Sequence, residues 1–331
     1  MIYSALVYPH PNVRYREPLA EIAKEELRLL LLALGEGEPE VSAEHTGEAV
    51  FLHFSLTRPG ENTMRLLHQA AGVFLFFSRT EAGLVPLSPP ELPYLEDDFA
   101  SLLKYKGKTN ERFTGTMLTM ALAISAFARQ PAARLTVCDP MGGKGTTAFL
   151  ALQRSWDAVS LDSAKGDVRE AADYAQRYFE FHHLKHKRTE ESLTLRGQVG
   201  ARETRFVFAD TAEHFKSGDT RTLRLLAGDT RDLGALLREN SVHLIVTDLP
   251  YGVQKGSKGG VLHTVQEAMP GWVRTLRPGG ALAMSFNTLI TKREELLSLC
   301  QENGLAPVET NDLRHRVEQA IERDMILARK A

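Results

Sequence analysis

The residues best placed to bind a ligand lie between positions 137 and 147. This stretch combines an acid, a proline and three glycines, namely Asp139, Pro140, Gly142, Gly143 and Gly145, and Thr146 follows them. It stands between a predicted strand, residues 135–138, and a predicted helix. Ligands of doubly wound sheets bind in the crevice at the carboxyl ends of the strands, where glycines let the backbone come close and a helix N-terminus offers free N–H groups. The stretch is therefore predicted to be a ligand-binding loop.

Other readings of this loop fit less well. A Walker-type phosphate loop needs a glycine where Cys138 stands, and Gly145 follows Lys144 where serine or threonine belongs. A dinucleotide fingerprint of the form Gly-x-Gly-x-x-Gly is not matched either, and a purely structural turn is the remaining alternative. Asp162, about twenty residues further on, ends the next predicted strand, residues 158–162, where an acid can bind ribose hydroxyls.

A second motif, Asp248-Leu249-Pro250-Tyr251-Gly252, follows the predicted strand 244–247. Alone it would be read as a tight turn, but it suits chemistry on the exocyclic amine of a nucleic-acid base. That amine is a poor nucleophile because its lone pair is delocalised into the ring. The Asp248 carboxylate and the Leu249 carbonyl can accept its two hydrogens, Pro250 fixes the turn, and Tyr251 can stack on the base. Acceleration would come from positioning and from stabilising developing charge.

Together the two motifs resemble those of the RNA guanine-N2 methyltransferases, in particular the tRNA guanosine-N2 methylases that often carry a THUMP domain. The segment from Lys104 to Thr114 resembles the lead-in of that family, and the resemblance covers roughly residues 104–331. It implies S-adenosylmethionine as cofactor and tRNA as substrate. The catalytic residues that it implies are Asp248, Leu249, Pro250 and Tyr251. The implied cofactor-binding residues are Thr114, Asp139, Pro140, Gly142, Gly143, Gly145, Thr146, Asp162 and Asp229.

Some assignments stay open at this stage. The acid that contacts the adenine amine is expected to be Asp229, with Asp210 as its competitor. The N6 amine of adenine, in DNA or RNA, would fit the same motif, and a cofactor- or RNA-binding subunit without turnover is the alternative of another class. A small-molecule amine is a further candidate substrate. His182, His183 and His186 lack matching ligand spacing, so we predict a solvated basic segment and no metal site.

The elements that must position these motifs form an α/β pattern. Strands predicted at 135–138, 158–162, 244–248, 281–286 and 325–328 alternate with helical stretches, which predicts a Rossmann-like, doubly wound sheet over residues 96–331 with an insertion at about 165–221. Residues 1–95 are expected to form a small α+β domain, RNA-binding or THUMP-like in degenerate form. Its predicted elements are strands at 2–8, 50–56 and 73–78 and helices at 18–34 and 62–71. Residues 86–93, with four prolines, are predicted to be the linker.

Composition sets only broad bounds. The chain has 331 residues and a formal net charge of −2. Residues 1–100 hold 7 Lys and Arg against 15 Asp and Glu, whereas residues 101–190 hold 14 against 9, so the middle of the chain could supply a basic patch for phosphate. Two cysteines and no long apolar run indicate a cytoplasmic protein without a disulfide framework or membrane span. A protein partner is compatible with this composition.

Overall fold

The structure is a computed structural model that describes residues 1–9, 13–57, 59–90, 94–96, 98–105, 108–130, 134–251 and 260–331, with backbone only for residues 13–16. It contains two β-sheets, one formed by the first ninety residues and one by the remainder. Lys106 of the lead-in and Gly252 of the second motif lie outside these residues, as do Lys255 and Lys258, which the glycine-rich sequence around them predicts to be in a substrate-side loop.

The first sheet is antiparallel, with strand order β2-β3-β1-β4-β5. Its elements are β1 (Ile2–Val7), α1 (Val13–Leu34), β2 (Ser42–Thr46), β3 (Ala49–Ser55), α2 (Glu61–Leu67), β4 (Val73–Thr80) and β5 (Gly83–Leu87). The predicted strands and helices of this region are all present, whereas β2 and β5 were not predicted. β5 also corrects the start of the predicted linker, because Pro86 pairs with Phe77 at the sheet edge, where a missing N–H is tolerated.

The second sheet has ten strands, in the order β13-β15-β12-β11-β6-β7-β10-β9-β8, with β14 paired to β15. The strands are β6 (Thr136–Asp139), β7 (Asp157–Asp162), β8 (Lys185–Leu195), β9 (Gln198–Ala209), β10 (Arg221–Gly228), β11 (Val242–Asp248), β12 (Leu276–Asn287), β13 (Leu305–Val308), β14 (His315–Glu318) and β15 (Ile321–Lys330). The helices are α3 (Glu111–Ile124), α4 (Thr146–Gln153), α5 (Lys165–Phe181), α6 (Ala212–Ser217), α7 (Leu233–Leu236), α8 (Gly260–Thr275) and α9 (Arg293–Glu302).

The five central strands, β10, β7, β6, β11 and β12, run parallel. The chain winds from β6 to β7 and β10 on one side and then crosses to β11 and β12 on the other, so the strand order reverses at β6 and β11. A crevice opens at such a switch point, outside the carboxyl ends of the strands. This arrangement confirms the predicted doubly wound α/β sheet.

The segment predicted as an insertion, residues 165–221, forms the crossover helix α5, the antiparallel hairpin β8–β9 and α6. The stretch between α5 and β9, whose polar composition suggests a linker, is instead the edge strand β8, and its side chains are exposed or half-buried. Charged side chains are frequent along β8, and charge is a common way to keep an exposed edge from pairing with other chains.

The first sheet is joined to the second through α1, which packs against the almost fully buried α3. One continuous apolar core contains residues from both parts, from Tyr3 to Leu327. Within it, the fully buried Glu26 of α1 accepts the backbone N–H groups of Ala71 (2.8 Å) and Gly72 (2.9 Å), one on each oxygen. The carboxylate thus fixes the loop before β4 to α1.

We predict that Glu26→Ala lowers the free energy of unfolding by about 3 kcal/mol, since it leaves two buried N–H groups without their acceptor and removes the negative charge that attracts the buried Arg154. The matched control is Glu61→Ala, which removes an exposed ion pair to Arg65 and should change stability by less than about 1 kcal/mol. Urea unfolding followed by circular dichroism measures both. Equal effects of the two substitutions would contradict the anchoring role of Glu26.

Candidate active site

The glycine-rich loop leaves the carboxyl end of β6 and leads into α4. The Gly142 N–H donates to the Leu161 carbonyl of the neighbouring β7 at 2.9 Å. A Cβ on Gly142 would lie 2.1 Å from Ser160 Oγ, so a larger residue does not fit. Gly143 (φ +50°) and Gly145 (φ +87°) adopt the left-handed conformation that favours glycine. The loop is therefore held tightly against β7.

Asp162, at the end of β7, fixes the same loop. Its Oδ2 accepts the Gly143 N–H at 2.9 Å, and its Oδ1 accepts the Ala164 N–H at 2.8 Å. Each carboxylate oxygen retains a second lone pair. Asp162 can thus shape the loop and still accept a hydroxyl hydrogen from a ligand.

Asp139, the last residue of β6, is only 4% exposed. Burial raises the pKa of this carboxyl to about 7, although the Met141 N–H, which donates to Oδ1 at 3.1 Å, acts in the opposite direction. Pro140, which follows, is also buried. Asp139 is accordingly a poorly solvated acid at the base of the loop, where a cationic or N–H-bearing ligand would stabilise its charge.

The Lys144 ammonium group is paired with acidic side chains of α5. Its Nζ lies 2.5 Å from Glu170 Oε2 and 3.9 Å from Asp167 Oδ1, both on α5. It also lies 4.9 Å from the centre of the Tyr105 ring. Lys144 therefore holds the loop to α5, which agrees with rejecting a Walker-type loop.

The segment before α3 connects the glycine loop to the second motif. The Tyr105 hydroxyl lies 3.1 Å from the Thr146 hydroxyl at the start of α4. Four residues later, the Thr109 hydroxyl donates to Asp248 Oδ2. Sequence reasoning singled out this segment but missed both contacts, because nothing in a Tyr or Thr within a Lys-rich stretch indicates its partner.

Two other residues of the lead-in have structural contacts of their own. Thr114 is buried in the first turn of α3, where its hydroxyl lies 3.4 Å from the Asn110 carbonyl. Lys108 donates to the Ala100 and Leu103 carbonyls and pairs with Glu111, so its ammonium group is engaged within the chain. Lys104 remains exposed.

Asp248 ends β11, next to β6 in the sheet. The pairs Leu244 with Val137 and Ile245 with Cys138 are parallel, so the two strands end at the same edge. The Asp248 side chain is 16% exposed and accepts hydrogen bonds on both oxygens. Besides Thr109 on Oδ2, the Ser285 hydroxyl of β12 donates to Oδ1 at 2.7 Å. The carboxylate is therefore held by hydroxyl donors near the crevice.

Leu249, Pro250 and Tyr251, which follow Asp248, differ in their contacts. Leu249 is 2% exposed, and its N–H donates to the Ser285 carbonyl at 2.9 Å. Pro250 carries the chain out of the sheet to Tyr251, whose hydroxyl donates to Asp248 Oδ1. Burial, followed by the charge of Asp248, raises the pKa of the Tyr251 phenol well above its usual range. The hydroxyl is thus a permanent donor at neutral pH.

A partner that the sequence did not reveal is Arg323 of β15. Its Nε donates to the Tyr251 hydroxyl at 2.6 Å, and its Nη2 lies 3.8 Å from Asp248 Oδ2. The sequence gives no signal for Arg323, because it stands 72 positions from Tyr251 in an ordinary charged stretch.

The two candidates for the adenine contact lie at opposite ends of the strands of the second sheet. Asp229 lies at the carboxyl ends of the parallel strands, and Asp210 lies at their amino ends. Asp229 follows β10, and the parallel pair Ala227 with Asp162 puts it beside Asp162 at the carboxyl edge. Asp210 follows β9, which runs antiparallel to β10, so it lies at the other edge, 2.6 Å from His214 Nδ1. Asp229 pairs with Arg231 (2.5 Å), whose guanidinium lowers the pKa of the carboxyl. The geometry favours Asp229.

Two features are absent from the described residues. Within these ranges, no three His, Cys, Asp or Glu side chains are grouped as a metal ion would require. Among the helices that the structure describes, none combines the length and apolar character needed to cross a membrane.

Comparison with known proteins settles the family. Residues 112–320, which are well over half of the chain, match the model of the RMKL-like methyltransferase domain. The chain belongs to the RMKL-like methyltransferase domain family. The matched range includes the glycine loop, Asp162, Asp229 and the Asp248 motif, so all of them lie within a methyltransferase domain. The family does not itself identify the narrower guanine-N2 group.

Two of the solved structures to which the chain is similar, at low sequence identity, are the following. The 1,6-didemethyltoxoflavin-N1-methyltransferase of Burkholderia thailandensis is 14% identical, with a TM-score of 0.41 over 67% of this chain and 80% of that one. The magnesium protoporphyrin IX methyltransferase of Synechocystis PCC 6803 is 13% identical, with a TM-score of 0.40 over 69% and 87%. No curated protein sequence matches this chain.

We predict that Gly142→Ala destabilises the methyltransferase domain by about 2 kcal/mol, because the new methyl group overlaps Ser160 Oγ. Removal of that oxygen in Gly142→Ala/Ser160→Ala should recover part of the loss. The control is Gly143→Ala, which meets no atom within 4 Å and should cost about 1 kcal/mol for its left-handed backbone. Thermal unfolding measures all three, and a Gly142→Ala variant as stable as wild type would contradict the tight packing.

Proposed function

We propose that this protein transfers a methyl group from S-adenosylmethionine to the exocyclic N2 amine of guanosine in RNA, and that the RNA is a tRNA. The observation that carries the proposal is the position of Asp248. Its carboxylate ends the strand next to the one that leads into the glycine loop, and it is held within a network of hydroxyl donors. An acceptor in this place can orient an amine toward a donor bound in the loop.

The residues of the crevice fit S-adenosylmethionine. Gly142 sits where a Cβ would collide with Ser160, so the backbone approaches β7 closely and leaves the crevice side to a ligand. The start of α4 suits a carboxylate, Asp162 suits the ribose hydroxyls, and Asp229 suits the adenine amine. When bound, this cofactor supplies an electrophilic methyl group. Pro140 and Thr146, beside the loop, complete the proposed cofactor site.

The chain's own part in catalysis is to bind and orient the base. Asp248 and the Leu249 carbonyl would accept the two N2 hydrogens, which directs the nitrogen lone pair out of the base plane. Pro250 fixes the turn that sets the Leu249 carbonyl. Transfer would form the carbon–nitrogen bond as the methyl–sulfur bond of the cofactor breaks, with the bonding electron pair kept by sulfur. The amine would then release its extra proton along its hydrogen bond to Asp248 or to solvent. Positioning and stabilisation of this developing positive charge account for the acceleration.

The hydrogen bonds that Asp248 accepts favour guanine over adenine as the target base. Both of its oxygens accept from hydroxyl groups, Thr109 on Oδ2 and Tyr251 and Ser285 on Oδ1. Guanine presents two neighbouring donors, N1–H and N2–H, toward the lone pair that Oδ2 retains beside the Thr109 hydroxyl. Adenine presents its N6 amine beside N1, which is an acceptor and would face the carboxylate. An acceptor that faces a carboxylate is unfavourable, which supports guanine as the substrate.

The proposal is tested by identifying the product. The purified protein is incubated with methyl-labelled S-adenosylmethionine and, separately, with unmodified tRNA, total RNA and duplex DNA, and the nucleosides are analysed by mass spectrometry. N2-methylguanosine in tRNA is expected. N6-methyladenosine would indicate the alternative substrate, and cofactor binding without product on any nucleic acid would indicate a non-catalytic subunit.

We predict that Asp248→Ala lowers the rate of methyl transfer by about 100-fold or more, because the amine loses its acceptor. Cofactor affinity, measured by calorimetry, should stay within a few-fold of wild type, since Asp248 lies on the substrate side. Asp312→Ala, at an exposed acid, is the control and should leave both quantities unchanged. Equal loss of cofactor binding in a folded Asp248→Ala variant would count against this assignment.

The two candidate adenine contacts give opposite expectations for cofactor affinity. Asp229→Ala should weaken binding of S-adenosylmethionine by about tenfold or more, because a hydrogen bond to a charged acceptor is lost. Asp210→Ala should change it by less than about twofold, since Asp210 lies at the other edge of the sheet. Calorimetric titration of both variants decides, and the reverse order of effects would move the adenine to Asp210.

A further inference from the structure

Arg323 is the most deeply buried cation beside the Asp248 motif. It lies on β15, opposite Asn287 of β12, and is 5% exposed. Its guanidinium carbon lies 4.6 Å from the centre of the Phe113 ring and 5.0 Å from that of Tyr251. Burying a guanidinium is costly unless it is paired and hydrogen-bonded, so its contacts with Asp248 and Tyr251 require an explanation.

The direction of the hydrogen bonds shows how Arg323 acts. A guanidinium can only donate, so the 2.6 Å contact makes the Tyr251 oxygen the acceptor of the Arg323 Nε–H. With its oxygen engaged in that way, the phenol proton is directed to Asp248 Oδ1. Arg323 Nη2 is too far from Oδ2, at 3.8 Å, for a hydrogen bond. Arg323 therefore reaches the carboxylate chiefly through Tyr251.

We propose that Arg323 is a positioning residue for methyl transfer, which acts by holding the Tyr251 hydroxyl against Asp248. This inference rests on the proposed function. The carboxylate can rotate about its Cβ–Cγ bond, and Tyr251 and Ser285 together hold its Oδ1 side. Arg323 in turn fixes Tyr251 and lies against one face of its ring.

This arrangement predicts a specific kinetic effect. Without Arg323 the Tyr251 hydroxyl is free to leave Asp248, and the carboxylate populates orientations in which it does not meet the amine. The rate of the bound complex then falls, whereas cofactor binding through the glycine loop is unchanged. A purely structural role in the packing of β15 would instead lower stability and affect both quantities.

The test is a double-mutant cycle with Arg323→Gln, Tyr251→Phe and the combined variant. Each single substitution is expected to lower kcat by about 10- to 100-fold, with cofactor Kd and KM for RNA within about threefold of wild type. The combined variant should be no slower than the slower single variant by more than about threefold, since both changes remove one interaction. Arg314→Gln, at an exposed arginine, is the control. Multiplying effects of the two substitutions would overturn the proposal.

A second measurement does not depend on turnover. With tyrosine labelled at Cζ, the Tyr251 NMR signal is assigned by its loss in Tyr251→Phe, and Arg323→Lys should shift it because the lysine lacks an Nε–H in that place. The signal of Tyr178, which donates to Asp98, should not move and shows that the variant is folded. An unmoved Tyr251 signal would overturn the inference. If wild-type protein methylates no nucleic acid, the proposed function fails, and this signal still decides the role of Arg323.

Discussion

A largely buried carboxylate needs hydrogen-bond donors, and those of Asp248 come from separate parts of the chain. Thr109 reaches it from the segment before α3, Ser285 from β12, and Tyr251 from the turn after β11, while Arg323 of β15 holds Tyr251. Leaving a buried acceptor unsatisfied costs about 1–3 kcal/mol, and more when it is charged. The need to satisfy this one group therefore ties the central strands, the C-terminal strand and the lead-in together.

The glycine loop depends on a similar constraint. Asp162 accepts one N–H from the loop and one from the start of the next crossover, and Gly142 donates to Leu161 of the same strand. Since β7 also pairs with β6, which carries the loop, strand and loop fix each other. Tyr105 then joins this half of the crevice to the lead-in that reaches Asp248. Both halves are thus set by hydrogen bonds within the chain itself.

The parts of this fold that could be predicted from sequence are those with a strong local signal. The parallel strands are short apolar runs, and both motifs follow such runs directly, so their common edge followed from topology alone. β2 and β5 escaped prediction because their residues are mostly exposed and carry no clear alternation. β8 is rich in charge and was read as a linker, because edge strands do not show the apolar pattern of buried ones.

Contacts between residues that are far apart in the chain could not be predicted from the sequence, for a different reason. Thr109 and Asp248 are 139 positions apart, and nothing local to either residue indicates the other. Which hydroxyl meets the carboxylate depends on how α3 is placed, and α3 is buried between the second sheet and α1 of the first. The acidic front part of the chain, whose own role the sequence leaves open, thereby takes part in positioning Thr109. Its packing on α3, held by Glu26 and its backbone partners, makes it a structural support for the crevice, whatever else it binds.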